Sequence, residues 1–194
     1  MTAIIASWIW VAGIVAWTII RWPHRRKARQ TETVTDKRSV QEKTVLGLTI
    51  LGLVVLPGLH LIFGLLSFAN TQFLPLAGWF GLVAMVAFLY LFYRSHKDLA
   101  RNWSVSLEIR KDHQLVDTGV YKAIRHPMYT SFWLWGIAQW LLIPNWIAGL
   151  SGLVSVAILY FSRIGAEETM MHQQFGAAYE DYCSRTYRLL PKLF

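Results

Sequence analysis

Residues 44–93 read TVLGLTILGLVVLPGLHLIFGLLSFANTQFLPLAGWFGLVAMVAFLYLFY, a run without any Asp, Glu, Lys or Arg. A transmembrane helix needs about 20 apolar residues, so this run is too long for one crossing and long enough for two. The polar group Asn70-Thr71-Gln72 divides it and predicts a hairpin of two membrane-spanning helices. We expect Pro57 to bend the first of them.

Two more stretches of the chain lack these charged residues, namely 2–20 and 126–162. The second is interrupted at Pro144-Asn145, which predicts two short helices of about 16 or 17 apolar residues that barely cross the hydrocarbon. Of the 194 residues, 55% are hydrophobic and only 15% are charged, against roughly 25% charged in soluble domains. The sequence therefore predicts an all-α integral membrane protein with five transmembrane helices, and it leaves no room for a separate soluble domain.

The basic residues are distributed in alternate connections. Of nineteen Lys and Arg, eight lie in 21–43, seven in 94–125 and four in 163–192, whereas the connections 69–75 and 144–145 hold none. By the positive-inside rule, this pattern predicts an N-terminus outside and a C-terminus in the cytosol. The net charge of +8 then reflects topology and contact with membrane lipid headgroups, and we expect no nucleic-acid partner.

The absence of certain sequence motifs excludes several kinds of functional site. A single cysteine, Cys183, rules out a disulfide framework and any CxxC site. The six histidines show no HxxH or HExxH spacing, so we expect no metal. The chain also lacks GxGxxG, a P-loop and GxSxG.

The remaining candidate chemistry lies at the predicted cytosolic ends of the last two spans. Arg163 and Glu167 are four residues apart and share one helix face, with Glu168 about 100° round the helix. This requires the last span to continue as a helix beyond Arg163. Taken by themselves, these residues equally fit an ordinary salt-bridged helix end.

The C-terminal segment has an amphipathic pattern. Phe175, Tyr179 and Tyr182 recur at offsets of four and three, with Glu180 and Asp181 between them. This predicts one amphipathic helix that packs on the site or along the membrane.

Three strings together are more specific than any single residue: GVYKAIRHPMYTSFWLWG at 119–136, RIGAEE at 163–168 and FGAAYEDYCSRTYRLLP at 175–191. They resemble the integral-membrane methyltransferases typified by isoprenylcysteine carboxyl methyltransferase. The resemblance implies transfer of a methyl group from S-adenosyl-L-methionine to the C-terminal carboxylate of a prenylated cysteine, leaving S-adenosyl-L-homocysteine. It makes 94–194 the catalytic half with spans 4 and 5. Residues 1–93 then hold spans 1 to 3 and a basic cytosolic loop at 21–43, within a single polytopic membrane domain.

Carried over position by position, the resemblance assigns Arg163 to the carboxylate of the substrate. It assigns cofactor binding to His113, Gln114, Leu115, Val116, Tyr121, His126, Pro127, Met128, Tyr129 and Glu167. These residue types suit the ligand, because a cationic sulfonium favours carboxylates and aromatic faces.

Other functions share parts of this pattern. The alternatives are a phospholipid or other lipid N-methyltransferase, an NADPH-dependent sterol reductase and a non-enzymatic lipid-binding scaffold. Each is a multi-pass membrane protein. The predicted location is the cell membrane of a prokaryote or the endoplasmic reticulum membrane of a eukaryote, with the site facing the cytosol.

Overall fold

The computed structural model describes residues 1–28, 40–99 and 115–191 of the chain, and within these ranges the architecture is helical. The elements in chain order are α1 (Ala3–Ala28), α2 (Val40–Ile50), a π-helical turn (Leu51–Val55), α3 (Leu56–Phe63), α4 (Pro75–Leu99), α5 (Pro127–Leu142), α6 (Trp146–Phe175) and α7 (Ala177–Arg185). Short 3-10 turns lie at Ser67–Ala69 and Gly119–Lys122.

The helices form a bundle in which α5 is the central member. It packs along α4 on one side and α6 on the other, while α1 packs on α4 and α2 packs on α6. Trp135 of α5 lies at the centre of an aromatic core, with its ring 4.8 Å from that of Phe88 and 5.0 Å from that of Trp17. Burial of such rings and their offset contacts hold α1, α4 and α5 together.

The helix widens shortly before Pro57, where the sequence predicted a bend. Helical structure runs without interruption from Val40 to Phe63, and the π-helical turn Leu51–Val55 ends two residues before the proline. Proline donates no hydrogen bond, and its ring crowds the carbonyl four residues earlier, so a widened turn relieves that contact.

The two predicted turns, at residues 70–72 and 144–145, lie in contact with each other. Asn145, only 1% exposed, donates from its side chain to the Leu66 carbonyl at 2.6 Å and to Asn70 Oδ1 at 2.9 Å. Its Oδ1 also caps α6 by accepting from the Ala148 amide at 2.9 Å. One asparagine therefore joins both turns at the same end of the bundle.

The structure shows candidates for four of the five predicted spans, and the fifth is not confirmed. Four helical segments of the described chain are long and apolar enough to cross a membrane: Ala3–Pro23, Val40–Phe63, Pro75–Leu99 and Trp146–Phe175. The remaining predicted span corresponds to α5, whose 16 residues extend only about 24 Å at 1.5 Å per residue. It packs against α4 and α6, and nine of its 16 residues are buried.

The C-terminal elements differ from the predicted single amphipathic helix. As predicted, α6 continues past Arg163, and Gly165 does not interrupt it. The grouping of Phe175 with Tyr179 and Tyr182 is wrong, because α6 ends at Phe175 and Gly176 turns the chain with φ 51°. A positive φ strongly favours glycine, so α7 begins as a separate helix. Tyr179 and Tyr182 are buried there as expected, with Glu180 and Asp181 exposed.

Candidate functional site

The candidate site is built around the carboxylate of Glu167, on the part of α6 that extends beyond its apolar stretch. Tyr129, one turn into α5, donates its hydroxyl to Glu167 Oε1 at 2.6 Å. Arg163, one turn earlier on α6, places Nε 3.3 Å from the same oxygen. The predicted i, i+4 pair therefore exists, and a tyrosine from the neighbouring helix completes it.

Arg163 contacts a second carboxylate that the sequence reasoning missed. Its Nη2 lies 3.6 Å from Oε1 of Glu42, near the start of α2. Glu42 is 6% exposed, and it lies on the same buried face of α2 as Val45 and Thr49. A glutamate at an otherwise inward-facing helical position is the sequence signal that could have identified it.

His126 bridges the two glutamates of α6. Its Nδ1 lies 3.8 Å from Glu167 Oε2, and its Nε2 lies 3.4 Å from Glu168 Oε1. The chain positions the ring because His126 is the N-cap residue of α5 and Pro127 occupies the first turn of that helix. The sequence HPMY thus brings a histidine and, one turn later, a tyrosine to the same side of α5.

Glu168 anchors the C-terminal segment rather than facing Arg163. Arg188 donates hydrogen bonds to both of its oxygens, from Nη2 to Oε2 at 2.6 Å and from Nε to Oε1 at 2.9 Å. A two-pronged arginine and carboxylate pair of this kind is strong and geometrically specific. Arg125 adds a weaker contact, with Nε 3.7 Å from Glu168 Oε1.

A short backbone pairing closes one side of the site. The amide of Arg125 donates to the Tyr187 carbonyl at 2.7 Å, and the amide of His126 donates to the Arg188 carbonyl at 3.1 Å. Thr130 adds a side-chain hydrogen bond to the Leu189 carbonyl at 2.7 Å. The guanidinium of Arg125 also donates to the carbonyls of Cys183 and Thr186. Arg125 therefore serves mainly to hold the chain that follows α7.

Tyr121 lies on the 3-10 turn before α5 and is fixed from two directions. Its carbonyl accepts from the Tyr182 hydroxyl at 2.7 Å, while Asp98 at the end of α4 accepts from the Val120 amide at 2.9 Å. A side chain on Gly119 would collide with Asp98, and its φ of 61° also favours glycine. Burial, followed by the charges of neighbouring groups that include Glu167, raises the pKa of Tyr121 well above its usual value. The phenol therefore stays neutral at physiological pH.

The structure brings some of the predicted site residues together and separates others. Arg163, Glu167, Tyr129 and His126 form one cluster. Pro127 is buried at the start of α5, and the partly buried Met128 packs against the aromatic core. Leu115 and Val116 lie half-buried in the irregular segment before Tyr121. His113 and Gln114 lie outside the described residues.

Comparison with protein families identifies the segment that carries this cluster. The model of the "Isoprenylcysteine carboxyl methyltransferase (ICMT) family" matches residues 80–173. Residues 80–173 carry the pattern of this family. The resemblance inferred from the sequence is thereby confirmed. The match includes Tyr129, Arg163 and Glu167, but it excludes Glu42 and Arg188.

Curated relatives of the ICMT family agree with this match. The chain is 33% identical over 87 residues to "Protein-S-isoprenylcysteine O-methyltransferase B" of Arabidopsis thaliana, covering 44% of each chain. It is 40% identical over 81 residues to the Saccharomyces cerevisiae protein-S-isoprenylcysteine O-methyltransferase, covering 40% of this chain and 33% of the yeast protein. The matched segment thus spans between about a third and a half of the length of these relatives.

A solved structure shares the fold over a larger part of the chain. It is described as the eukaryotic intramembrane Ras methyltransferase ICMT, and it superposes with a TM-score of 0.51 at 21% sequence identity. The superposition covers 81% of this chain and 54% of that one. At this identity the likeness concerns the fold alone, and it extends the resemblance beyond the segment matched in sequence.

Proposed function

We propose that this chain is an integral-membrane methyltransferase that esterifies the C-terminal carboxylate of a prenylated cysteine, with S-adenosyl-L-methionine as methyl donor. The observation that carries the proposal is the joint position of three residues within the segment matched by the ICMT family: Glu167 contacts both Tyr129 of α5 and Arg163 of α6. The names of the relatives support the substrate class.

The residues present fit the proposed donor. Glu167 is a partly exposed carboxylate with one oxygen engaged by Tyr129 and Arg163, while Oε2 makes no hydrogen bond among the described residues and lies 3.8 Å from Nδ1 of His126. That oxygen has the capacity to accept hydrogen bonds from an ammonium or a ribose hydroxyl. Tyr129 and Tyr121 provide aromatic surface, which favours a cation.

The proposed reaction is an in-line displacement at a methyl carbon. The donor supplies an activated methyl group on a sulfonium; a carboxylate oxygen forms the new C–O bond as the C–S bond breaks, giving a methyl ester and a thioether. Opposite charges neutralise each other, and no proton moves. The work left to the protein is to align the reactants and exclude water, which confinement between helices favours. Arg163 suits the positioning of a planar carboxylate because its guanidinium presents paired N–H groups.

We further propose a five-span topology in which α1, the Val40–Phe63 helix, α4, α5 and α6 each cross the membrane. The N-terminus would lie outside and Glu167 at the cytosolic surface, as the distribution of basic residues indicates. A prenyl chain then reaches the site sideways from lipid, while the polar donor arrives from the cytosol.

Two enzymatic alternatives receive less support from the geometry. A dinucleotide-dependent reductase needs basic residues for phosphates, yet Arg125 is held by the carbonyls of Cys183 and Thr186. A lipid N-methyltransferase acts on an amine, and an arginine within the cluster disfavours a cationic acceptor.

Binding measurements separate these classes. Calorimetry on purified protein should detect binding of S-adenosylhomocysteine and no binding of a nicotinamide dinucleotide phosphate, and a farnesylated cysteine analogue should be methylated. Methylation of phosphatidylethanolamine, measured in the same way, is the comparison. Binding of the dinucleotide alone would overturn the proposal, and a protein that binds neither ligand would be a scaffold.

Substitutions of Arg163 test whether this residue positions the acceptor carboxylate. Arg163→Lys should keep the charge but lose the paired geometry, and Arg163→Ala should lose both, so methyl transfer should fall in that order. We expect at least about a tenfold loss in kcat/KM for the Ala variant, or roughly 1.4 kcal/mol of transition-state stabilisation. Parallel losses of S-adenosylhomocysteine affinity and melting temperature would instead identify a brace between helices.

A further inference from the structure

Glu42 is a buried acid on a helix that the family match does not include. It lies on α2 with 6% of its surface exposed, whereas its neighbours Gln41 and Lys43 are exposed. Burying a carboxylate is costly unless a counter-charge or hydrogen-bond donors compensate it. The ion pair between Glu42 Oε1 and Arg163 Nη2, at 3.6 Å, provides such a counter-charge.

Arg163 is thus held between two carboxylates from different helices. Glu167 faces Nε at 3.3 Å from within α6, and Glu42 faces Nη2 at 3.6 Å from α2. These shortest contacts use Nε and Nη2, and among the described residues Nη1 makes no hydrogen bond. The fork of the guanidinium is rigid, so contacts at Nε and Nη2 set the direction in which Nη1 points.

Packing between α2 and α6 makes this arrangement stiff. Val45, one turn after Glu42, forms a small buried cluster with Leu159, Tyr160 and Tyr129. The same contacts that fix α2 against α6 therefore fix Glu42 relative to Arg163 and Tyr129. A long arginine side chain without such a second contact has several rotamers available to it.

We propose that Glu42 is a positioning residue for the acceptor: it orients the guanidinium of Arg163 so that Nη1 is presented to the carboxylate of the prenylated cysteine. This inference rests on the proposed function. It assigns to α2, which lies outside the matched segment, a part in acceptor recognition. Glu42 does not contact the methyl donor in this role, so its removal should affect the acceptor and leave the donor site intact.

The test measures acceptor kinetics, donor affinity and stability on the same variants. Glu42→Gln keeps the shape of the side chain and removes its charge; we expect kcat/KM for a farnesylated cysteine analogue to fall at least about tenfold, and Kd for S-adenosylhomocysteine to change less than about threefold. Glu42→Asp retains the charge and should recover part of the loss. Lys43→Gln, which removes a charge from the exposed face of the same helical turn, should behave as the wild type.

A double mutant isolates the dependence on Arg163. In an Arg163→Lys background, Glu42→Gln should reduce acceptor kcat/KM by a clearly smaller factor than in the wild type, because Glu42 acts through the guanidinium. Equal factors in both backgrounds would overturn the inference.

The remaining outcomes are also decisive. Unchanged acceptor kinetics in Glu42→Gln, or losses in donor affinity, acceptor kinetics and melting temperature together, would overturn the positioning role while leaving the proposed function standing. A wild-type protein that binds no S-adenosylhomocysteine and methylates no prenylated cysteine would overturn both.

Discussion

Glu167 is the residue on which the contacts of the candidate site converge. A tyrosine hydroxyl and an arginine engage one oxygen, and the His126 ring lies 3.8 Å from the other. Its replacement by glutamine keeps an oxygen that can accept from Tyr129, so local packing should survive while the charge is lost.

Glu167→Gln should therefore weaken binding of S-adenosylhomocysteine without unfolding the protein. Loss of a charged hydrogen-bond acceptor costs on the order of 1.5 to 3 kcal/mol, or roughly ten- to more than a hundredfold in Kd. Calorimetry measures the affinity, and Glu180→Gln on the exposed face of α7 is the control. An unchanged Kd in Glu167→Gln would remove this residue from the donor site.

Sequence reasoning found the residues whose partners are close along the chain. Arg163 and Glu167 are predictable because helical periodicity alone brings them together. Glu42 and Arg188 were missed, since their partners lie 121 and 20 residues away along the chain, beyond the reach of helical periodicity. Only the packing of α2 on α6, and the return of the chain after α7, bring these charges into contact.

At the level of elements, α6 carries much of the site and α7 closes it. The 3-10 turn that bears Tyr121 is held by Tyr182 of α7, and Arg185 at the end of α7 reaches Asp117 at 2.8 Å. The hydrogen bond from Arg185 lowers the pKa of Asp117 below its ordinary value of 3.8. A carboxyl with a lowered pKa stabilises the fold at neutral pH, and this contribution is lost as the pH falls through the lowered pKa.

Arg185→Gln should raise the pKa of Asp117 back toward 3.8. Carboxyl NMR titration of aspartate-labelled protein measures the shift, with Asp117→Asn to assign the resonance. Lys122→Gln, a charge removal on the exposed side of the 3-10 turn, should leave the titration unchanged. An Asp117 pKa that is the same with and without Arg185 would contradict the contact between α7 and this turn. Because both side chains are exposed, high salt should weaken the effect.

Helices and turns could be predicted from the sequence wherever local composition alone determines them. The charge-free runs gave the long helices, and the breaks at Asn70 and Pro144 fell in turns. The π-helical turn before Pro57 and the division at Gly176 were not foreseen, because each depends on how a local steric conflict is resolved.

For the molecule as a whole, the basic residues predict which end of the bundle faces the cytosol. Gln72 lies exposed in the turn between α3 and α4, at the end opposite to that of Glu180 if the five-span proposal holds. In a Cys183→Ser background, Gln72→Cys in intact cells should react with an impermeant maleimide. Glu180→Cys should react only after the membrane is opened. Labelling of both positions from the same side would contradict the five-span topology.

The pairing of residues 123–126 with 187–188 also fixes the order in which the site can form during biosynthesis. Every helix described above leaves the ribosome before Tyr187 and Arg188 do, so the amides of Arg125 and His126 first meet the carbonyls of these two residues after α7 has emerged. Until then Glu168 also lacks its two-pronged contact with Arg188. The polar contacts on this side of the site therefore complete only after α7 has been translated, later than the contacts among the helices that precede it.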